Sequence, residues 1–74
     1  MHQQLAEDCL YYVTVQDAGS TGYLLGPYSN HQEALDQVKR GQDLAYANDP
    51  YSHFYSFGTA RAPKSKTIKT VFGA

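Results

Sequence analysis

The sequence contains no tryptophan, a single cysteine and no long run of apolar residues. Because Cys9 is the only cysteine, an intramolecular disulfide is impossible, which argues against a disulfide-stapled secreted mini-protein. No apolar run approaches the roughly 18 residues that a membrane-spanning helix needs. The first residues, MHQQLAEDCL, carry acids instead of the basic start and apolar stretch of a signal peptide. These absences predict a soluble cytoplasmic protein that does not bind a membrane.

The chain has 74 residues, which predicts one small domain over residues 1–74. A domain of this size is close to the lower limit at which a single core outweighs chain entropy. Seven tyrosines and three phenylalanines raise the aromatic content to 14%. Tyrosine combines a large apolar area with a polar tip, so rings can fill the core and also lie at a surface.

Acidic and basic residues are unevenly distributed along the chain. Residues 1–50 contain all seven acids and only Lys39 and Arg40 as bases, which gives a net charge of −5. Residues 51–74 contain no acid and four bases, which gives +4. Such a split marks an interaction surface in some proteins, and in others the basic end lies along the acidic body.

The first half of the sequence has the pattern of a β-hairpin. Residues 10–16, LYYVTVQ, are rich in β-branched and aromatic residues, as strands are. The turn-forming residues 17–22 follow, and then a second strand within residues 23–29, YLLGPYS, which we expect Gly26-Pro27 to stop because proline cannot donate to a strand ladder. Alternation places Tyr11, Val13 and Val15 on one side of the first strand, and we expect this side to face the core.

A helix is predicted over residues 31–47. Asn30 is a favourable N-cap, and Glu33 lies at the spacing of a capping box. Small and apolar residues, including Gly41, recur at three- and four-residue spacings. Pro50 disfavours a helical conformation at Asp49, so the helix is expected to end there.

A third strand is predicted over residues 53–61, HFYSFGTAR. Gly41 costs about 1 kcal/mol in a helix interior, which close packing of helix on sheet would offset. We therefore expect the small residues of this strand, Ser56, Gly58 and Ala60, to face the helix. Tyr11, Val13, Val15, Tyr23 and Leu25 would complete the core.

The predicted fold class is α+β, with a three- to four-stranded antiparallel sheet and one helix packed on one face. The elements are ordered β-β-α-β. Residues 1–9 form a loose lead-in, and the basic C-terminal segment, residues 62–74, either adds an edge strand or stays flexible. The sequence does not favour either of these two alternatives for residues 62–74.

The sequence shows no pattern typical of catalysis or metal binding. The histidines His2, His31 and His53 are scattered, and Cys9 falls in the predicted lead-in. Metal sites usually need two or more such ligands at short spacing. The only glycine-flanked loop, GSTG, lacks the lysine of a phosphate-binding loop. We therefore predict a protein that is not an enzyme and that binds no cofactor or metal.

A binding surface is the remaining possibility. If one side of the sheet packs on the helix, the other carries four residues that share large or cationic side chains: Tyr12, Tyr55, Phe57 and Arg61. One interpretation is that residues 1–9 or the C-terminal segment cover these rings. A second is that they bind another protein, either a different partner or another copy of the chain, since such residues are enriched at interfaces.

A third interpretation is single-stranded nucleic-acid binding. The rings would stack on bases, and the basic residues Arg61, Lys64, Lys66 and Lys69 would neutralise phosphates. The acidic charge of residues 1–50 argues against it, because nucleic-acid-binding domains are normally basic. Protein binding is therefore the favoured hypothesis.

Two resemblances bear on this hypothesis. The passage YLLGPYSNHQEAL, residues 23–35, is similar to the strand–Gly-Pro–helix passage of SPOR-type peptidoglycan-binding domains, but the chain lacks the second half of those domains. The wider pattern of YYVTV, LLGPYSNHQEAL, HFYSFGTAR and KTVFG resembles small uncharacterised proteins of proteobacterial phages, prophages and plasmids. This second resemblance implies an accessory protein that inhibits or adapts a host machine, with CRISPR complexes among the candidates.

Overall fold

The structure, a computed structural model, describes residues 9–17, 19–49, 51 and 55–74. Most of the predicted lead-in, with His2, lies outside these residues, and so do His53 and Phe54 of the predicted third strand. Five elements follow one another: β1 (Cys9–Asp17), β2 (Ser20–Tyr28), α1 (His31–Asp36), α2 (Val38–Asn48) and β3 (Ser56–Pro63). The three strands form an antiparallel sheet in the order β2-β1-β3. The predicted α+β fold class is confirmed.

The hairpin is tighter than the sequence pattern suggests. Asp17 pairs with Ser20, which leaves two residues between the strands instead of the predicted six-residue loop. Gly19 has a φ of 89°, a conformation that a two-residue hairpin turn commonly requires. At its other end, β1 begins at Cys9, which pairs with Pro63 of β3. The assignment of Cys9 to a loose lead-in was therefore wrong.

The pairing of β2 with β1 shifts register at two places, between Tyr11 and Val13 and between Val13 and Thr14. The second shift lets β2 bury two consecutive leucines. The register moves from Val13–Leu25 to Thr14–Tyr23, so Leu24 is an extra residue without a partner on β1. Such a bulge re-aims the side chains of one strand. Leu24 and Leu25 are accordingly both buried in the core, at 5% and 0% exposed.

Helix α1 begins as the sequence predicted. The Asn30 side chain accepts a hydrogen bond from the Glu33 amide at 2.9 Å, which satisfies one of the unpaired N–H groups of the first turn. Glu33 in turn accepts from the amide and the hydroxyl of Ser29, at 3.1 and 2.9 Å. The reciprocal contact of the cap is therefore made with Ser29, one residue before Asn30.

The predicted single helix over residues 31–47 is divided at Gln37. The Gln37 amide donates to the Ala34 carbonyl three residues earlier, at 3.0 Å, which tightens the turn and ends α1. Helix α2 then continues to Asn48. Asp49 is extended, with φ −147° and ψ 105°, as the following proline in the sequence predicted.

Gly41 of α2 faces the sheet, as predicted, but it lies over a different strand. A Cβ atom built at Gly41 would lie 2.9 Å from Cγ1 of Val13 and 3.5 Å from Cδ1 of Leu25. The helix therefore approaches the central strand β1 and its neighbour β2. Val13, Leu24, Leu25 and Ala45 form the buried core at this contact.

The register of β3 reverses the predicted orientation of its side chains. Val13 pairs with Thr59, and Val15 pairs with Phe57. Directly opposed residues of antiparallel strands share one side of the sheet, so Phe57 and Thr59 lie on the helix side with Val13. The expectation that Ser56, Gly58 and Ala60 pack on the helix was wrong. Gly41 lets the backbone of α2 approach Val13 of β1 closely. Small residues on β3 are therefore not required for this contact.

The last residues lie along the outer edge of β2. Val71 and Phe72 donate to the carbonyls of Tyr23 and Leu24 at 3.0 and 2.9 Å, and Gly26 donates to Gly73 at 3.0 Å. The Phe72 ring packs against the core. These residues form no regular strand. Of the two alternatives for this segment, edge pairing is the closer description, although the hydrogen bonds do not extend into a ladder.

Neither helix of the described residues is long and apolar enough to cross a membrane.

Candidate functional site

The four residues predicted to share one bare sheet face lie on two different sides. Tyr12 lies opposite the helices and is 2% exposed, with its ring edge-to-face against Tyr23 at 5.5 Å. Phe57 and Arg61 lie on the helix side, because they pair with Val15 and Tyr11. The premise of a single exposed face was wrong, since it depended on the orientation of β3. Tyr12 contributes to the packed interior.

Phe57 and Arg61 nevertheless fall on one side of the sheet, and Phe57 is in contact with an aromatic ring that the sequence did not predict there. We define the aromatic patch as the Tyr46–Phe57 ring pair together with Tyr51 and Tyr55, both of which bind Asp49 at the end of α2. The rings of Tyr46 and Phe57 meet edge-to-face with centroids 5.9 Å apart. Tyr46 is 42% exposed and Tyr51 is 69% exposed, whereas Tyr55 and Phe57 are half-buried.

Asp49 holds one end of the aromatic patch. One carboxylate oxygen accepts from the Tyr51 amide at 3.0 Å, and the other accepts from the Tyr55 hydroxyl at 3.2 Å. Partial burial raises the pKa of Tyr55 above its usual value, and the nearby Asp49 charge adds to this rise. The phenol is therefore kept in its neutral, hydrogen-donating form.

Arg61 lies at the other end of β3, beside an open recess of about 330 Å³ lined by Tyr11, His31, Thr59, Ala60 and Arg61. The His31 Nε2 atom lies 3.0 Å from the Thr59 hydroxyl. The imidazole also stacks on the Tyr11 ring, with centroids 5.6 Å apart. This arrangement brings a cation, an imidazole and a hydroxyl to one place.

The predicted basic residues Lys64, Lys66 and Lys69 are exposed and follow Arg61 along the chain. Over the described part of the chain, the salt bridge found is between Lys39 and Asp43, at 2.8 Å on the surface. No described acid pairs with Arg61 or the three lysines. Their charge is available to a ligand.

Across residues 9–17, 19–49, 51 and 55–74, no group of three or more His, Cys, Asp or Glu side chains could hold a metal ion. The absence of enzymatic activity stays a prediction. The part of the site that the sequence could have revealed is Tyr46, which immediately follows the buried Ala45 and so lies beside the apolar side of α2. The pairing of His31 with Thr59 joins residues 28 positions apart, and no local pattern signals it.

No family model matches this chain, and neither a curated protein nor a solved structure is significantly similar to it.

Proposed function

We propose that this protein is a non-catalytic protein-binding module whose aromatic patch docks onto another protein. The observation that carries the proposal is the exposure of Tyr46, whose ring meets the half-buried Phe57, together with the exposure of Tyr51 close to the end of α2. Large exposed rings in contact with one another are typical of interface centres, where tyrosine is enriched. Tyrosine also buries a large area while immobilising few rotatable bonds.

The aromatic patch is supported by the fold around it. Asp49 ends α2 and binds both the Tyr51 amide and the Tyr55 hydroxyl. Phe57 packs against the core from its position in β3. A surface held in this way loses less conformational freedom on binding, which leaves more of the contact energy for affinity.

The resemblance to mobile-element proteins supports a partner in the host cell. Accessory proteins of phages and plasmids commonly act by occupying a surface of a host machine, and a small domain without a catalytic motif suits that role. The protein would then be an inhibitor or adaptor, with CRISPR complexes among its possible targets. A second copy of the chain is the other partner that the aromatic patch could take.

The test compares two exposed sites on the same protein. A photo-crosslinking amino acid is placed at Tyr51 or, as the matched control, at Val71, which are 69% and 67% exposed. Crosslinking in proteobacterial lysate, followed by mass spectrometry, is expected to give a specific adduct from position 51 only. Light scattering of the purified protein over a range of concentrations identifies self-association. Equal labelling from both positions, together with a monomeric protein, would contradict the proposal.

Truncation of the rings gives an independent measurement. Tyr46→Ala and Tyr51→Ala are expected to weaken the captured or self-associated complex at least tenfold, which is about 1.4 kcal/mol. Val71→Ala is the control and should leave it unchanged. Because all three side chains are exposed, the variants should fold, and circular dichroism checks this.

Single-stranded nucleic-acid binding is a second candidate, favoured by the unpaired charges of Arg61, Lys64, Lys66 and Lys69. Tyr12 is buried and cannot stack on a base, so the rings available would be those of the aromatic patch. Four cations predict a slope of log affinity against log salt no steeper than about −3. Titration of a labelled oligonucleotide at several salt concentrations measures this slope, and a lack of micromolar binding at low salt would exclude the candidate.

A further inference from the structure

The recess beside Arg61 lies on the helix side of the sheet, at the opposite end of β3 from the aromatic patch. Thr59 separates Phe57 from Arg61 along the strand, and strand geometry places those two residues roughly 13 Å apart. The aromatic patch can therefore be altered without changing the recess. An inference about the recess stands independently of the proposed function.

The pairing of β1 with β3 brings together the residues that line the recess. Tyr11 is directly opposite Arg61 across β1 and β3, and Thr59 is the next residue of β3 on the same side. His31, the first residue of α1, reaches down from the helix to the Thr59 hydroxyl and stacks on the Tyr11 ring. Three elements thus meet at a small opening, and two contacts fix the plane of the imidazole.

The lining of the recess suits an anion. Arg61 supplies a positively charged guanidinium that presents several N–H donors in a planar fork. His31 and Thr59 add an imidazole and a hydroxyl, and among the described residues no carboxylate lines the opening. Both acids of α1 are engaged elsewhere, since Glu33 accepts from the amide and the hydroxyl of Ser29 and Asp36 accepts from the Gln32 side chain. No described residue forms a hydrogen bond or ion pair with Arg61 that would compete with a ligand.

We propose that Arg61, His31 and Thr59 form a binding site for a phosphate group, either free phosphate or the phosphate of a small monoester. A carboxylate presents two oxygens in one plane, which Arg61 alone can satisfy. A tetrahedral phosphate presents three or more oxygens, which matches a guanidinium together with the Thr59 hydroxyl, whose proton is free for the ligand when Nε2 of His31 donates to its oxygen. The Tyr11 ring positions the imidazole and supplies no charge.

The test is a titration of the full chain followed by NMR of the His31, Thr59 and Arg61 signals at constant pH and ionic strength. The probes are inorganic phosphate, adenosine 5′-monophosphate, adenosine and acetate. Phosphate and the nucleotide are expected to shift all three signals with saturation in the millimolar range or below. Adenosine and acetate should produce no saturable shift. A nucleotide that binds more tightly than phosphate would identify a monoester as the ligand, and equal binding would identify the free anion.

Substitutions distinguish a specific phosphate site from non-specific attraction of phosphate to positive charge. Arg61→Gln should weaken phosphate binding about tenfold or more, and Thr59→Val, which removes the hydroxyl beside His31, should weaken it about threefold. Lys69→Gln removes the same charge outside the recess and should change the affinity less than about twofold. The proposal is wrong if Lys69→Gln and Arg61→Gln have equal effects, if adenosine binds as tightly as its monophosphate, or if phosphate leaves the three signals unchanged.

Discussion

Two glycines of this chain have opposite surroundings, and this difference predicts opposite effects of alanine. At Gly41 a new Cβ would meet Cγ1 of the fully buried Val13 at 2.9 Å. Val13 is β-branched and cannot easily turn away. Overpacking of this kind costs about 1–3 kcal/mol, which exceeds the gain of about 1 kcal/mol in helix propensity. We therefore expect Gly41→Ala to lower the free energy of unfolding, as measured by urea denaturation.

Gly58 of β3 is the matched control. A Cβ at this position meets no atom of the described residues within 4 Å, and the backbone is not left-handed. Gly58→Ala should raise the free energy of unfolding by about 0.4–1 kcal/mol, because it reduces the freedom of the unfolded chain. If both variants changed stability by the same amount, the packing of α2 on β1 would be different from that described.

The raised pKa of Tyr55 predicts a loss of folding stability at alkaline pH. Burial and the Asp49 charge raise its pKa above 10.0, so the folded state holds this proton more tightly than the unfolded state. The resulting stabilisation is complete below pH 10 and is lost as the pH rises through the folded-state pKa. Wild type should therefore lose stability more steeply above pH 10 than Tyr55→Phe, in urea melts over a pH series.

The Lys39–Asp43 pair does not affect the comparison of wild type with Tyr55→Phe. The hydrogen bond and charge of Asp43 raise the pKa of Lys39, so that pair also weakens at alkaline pH. It is present in both proteins and cancels in the difference between them. Identical pH profiles for wild type and Tyr55→Phe would show that the hydroxyl does not bind Asp49.

At the scale of elements, α1 depends on its cap. It has only six residues, too few for a helix that is stable in isolation. The Asn30 side chain binds the Glu33 amide, so Asn30→Ala should cost about 0.5–2 kcal/mol and should speed hydrogen exchange at Glu33. Gln32→Ala is the control, because Gln32 only contacts Asp36 at the surface and should change stability by less than about 0.5 kcal/mol.

At the scale of the whole molecule, Phe72 attaches the C-terminal segment to the core and to β2. Its ring packs on the core while its amide binds β2. Because the ring is half-buried, Phe72→Ala should cost about 1–3 kcal/mol, less than the 3–5 typical of a fully buried phenylalanine. The Gly26 amide, which donates to Gly73, should then exchange faster. Val71→Ala, at an exposed neighbouring position, should leave both measurements unchanged, and equal effects of the two variants would contradict the docking of this segment.

The aromatic patch and the recess also belong to this largest scale. Each combines residues from at least two elements that are distant in sequence, such as Tyr46 with Phe57 and His31 with Thr59. Of the residues singled out from the sequence, Tyr55 and Phe57 lie in the aromatic patch and Arg61 lies at the recess. The placement of Tyr11 and His31 beside Arg61 could be identified only after the strands were paired.

The sequence by itself determined the features that depend on a few neighbouring residues. The hairpin, the Asn30 cap, the end of α2 before Asp49 and the inward direction of Gly41 all follow from local conformational preferences and spacing. The fold class follows from the same features, because few arrangements bury a hairpin, a helix and one more strand.

Tertiary structure alone decided which side of β3 faces the helices, and therefore where the functional candidates lie. Strand side chains alternate with a period of two, so a shift of one residue in register moves Phe57 and Arg61 from one side to the other. Local sequence is compatible with both registers. The structure pairs Val13 with Thr59 and Val15 with Phe57. In this register Phe57 packs against the core and its ring meets that of Tyr46 on α2, a contact that joins residues from two separate elements.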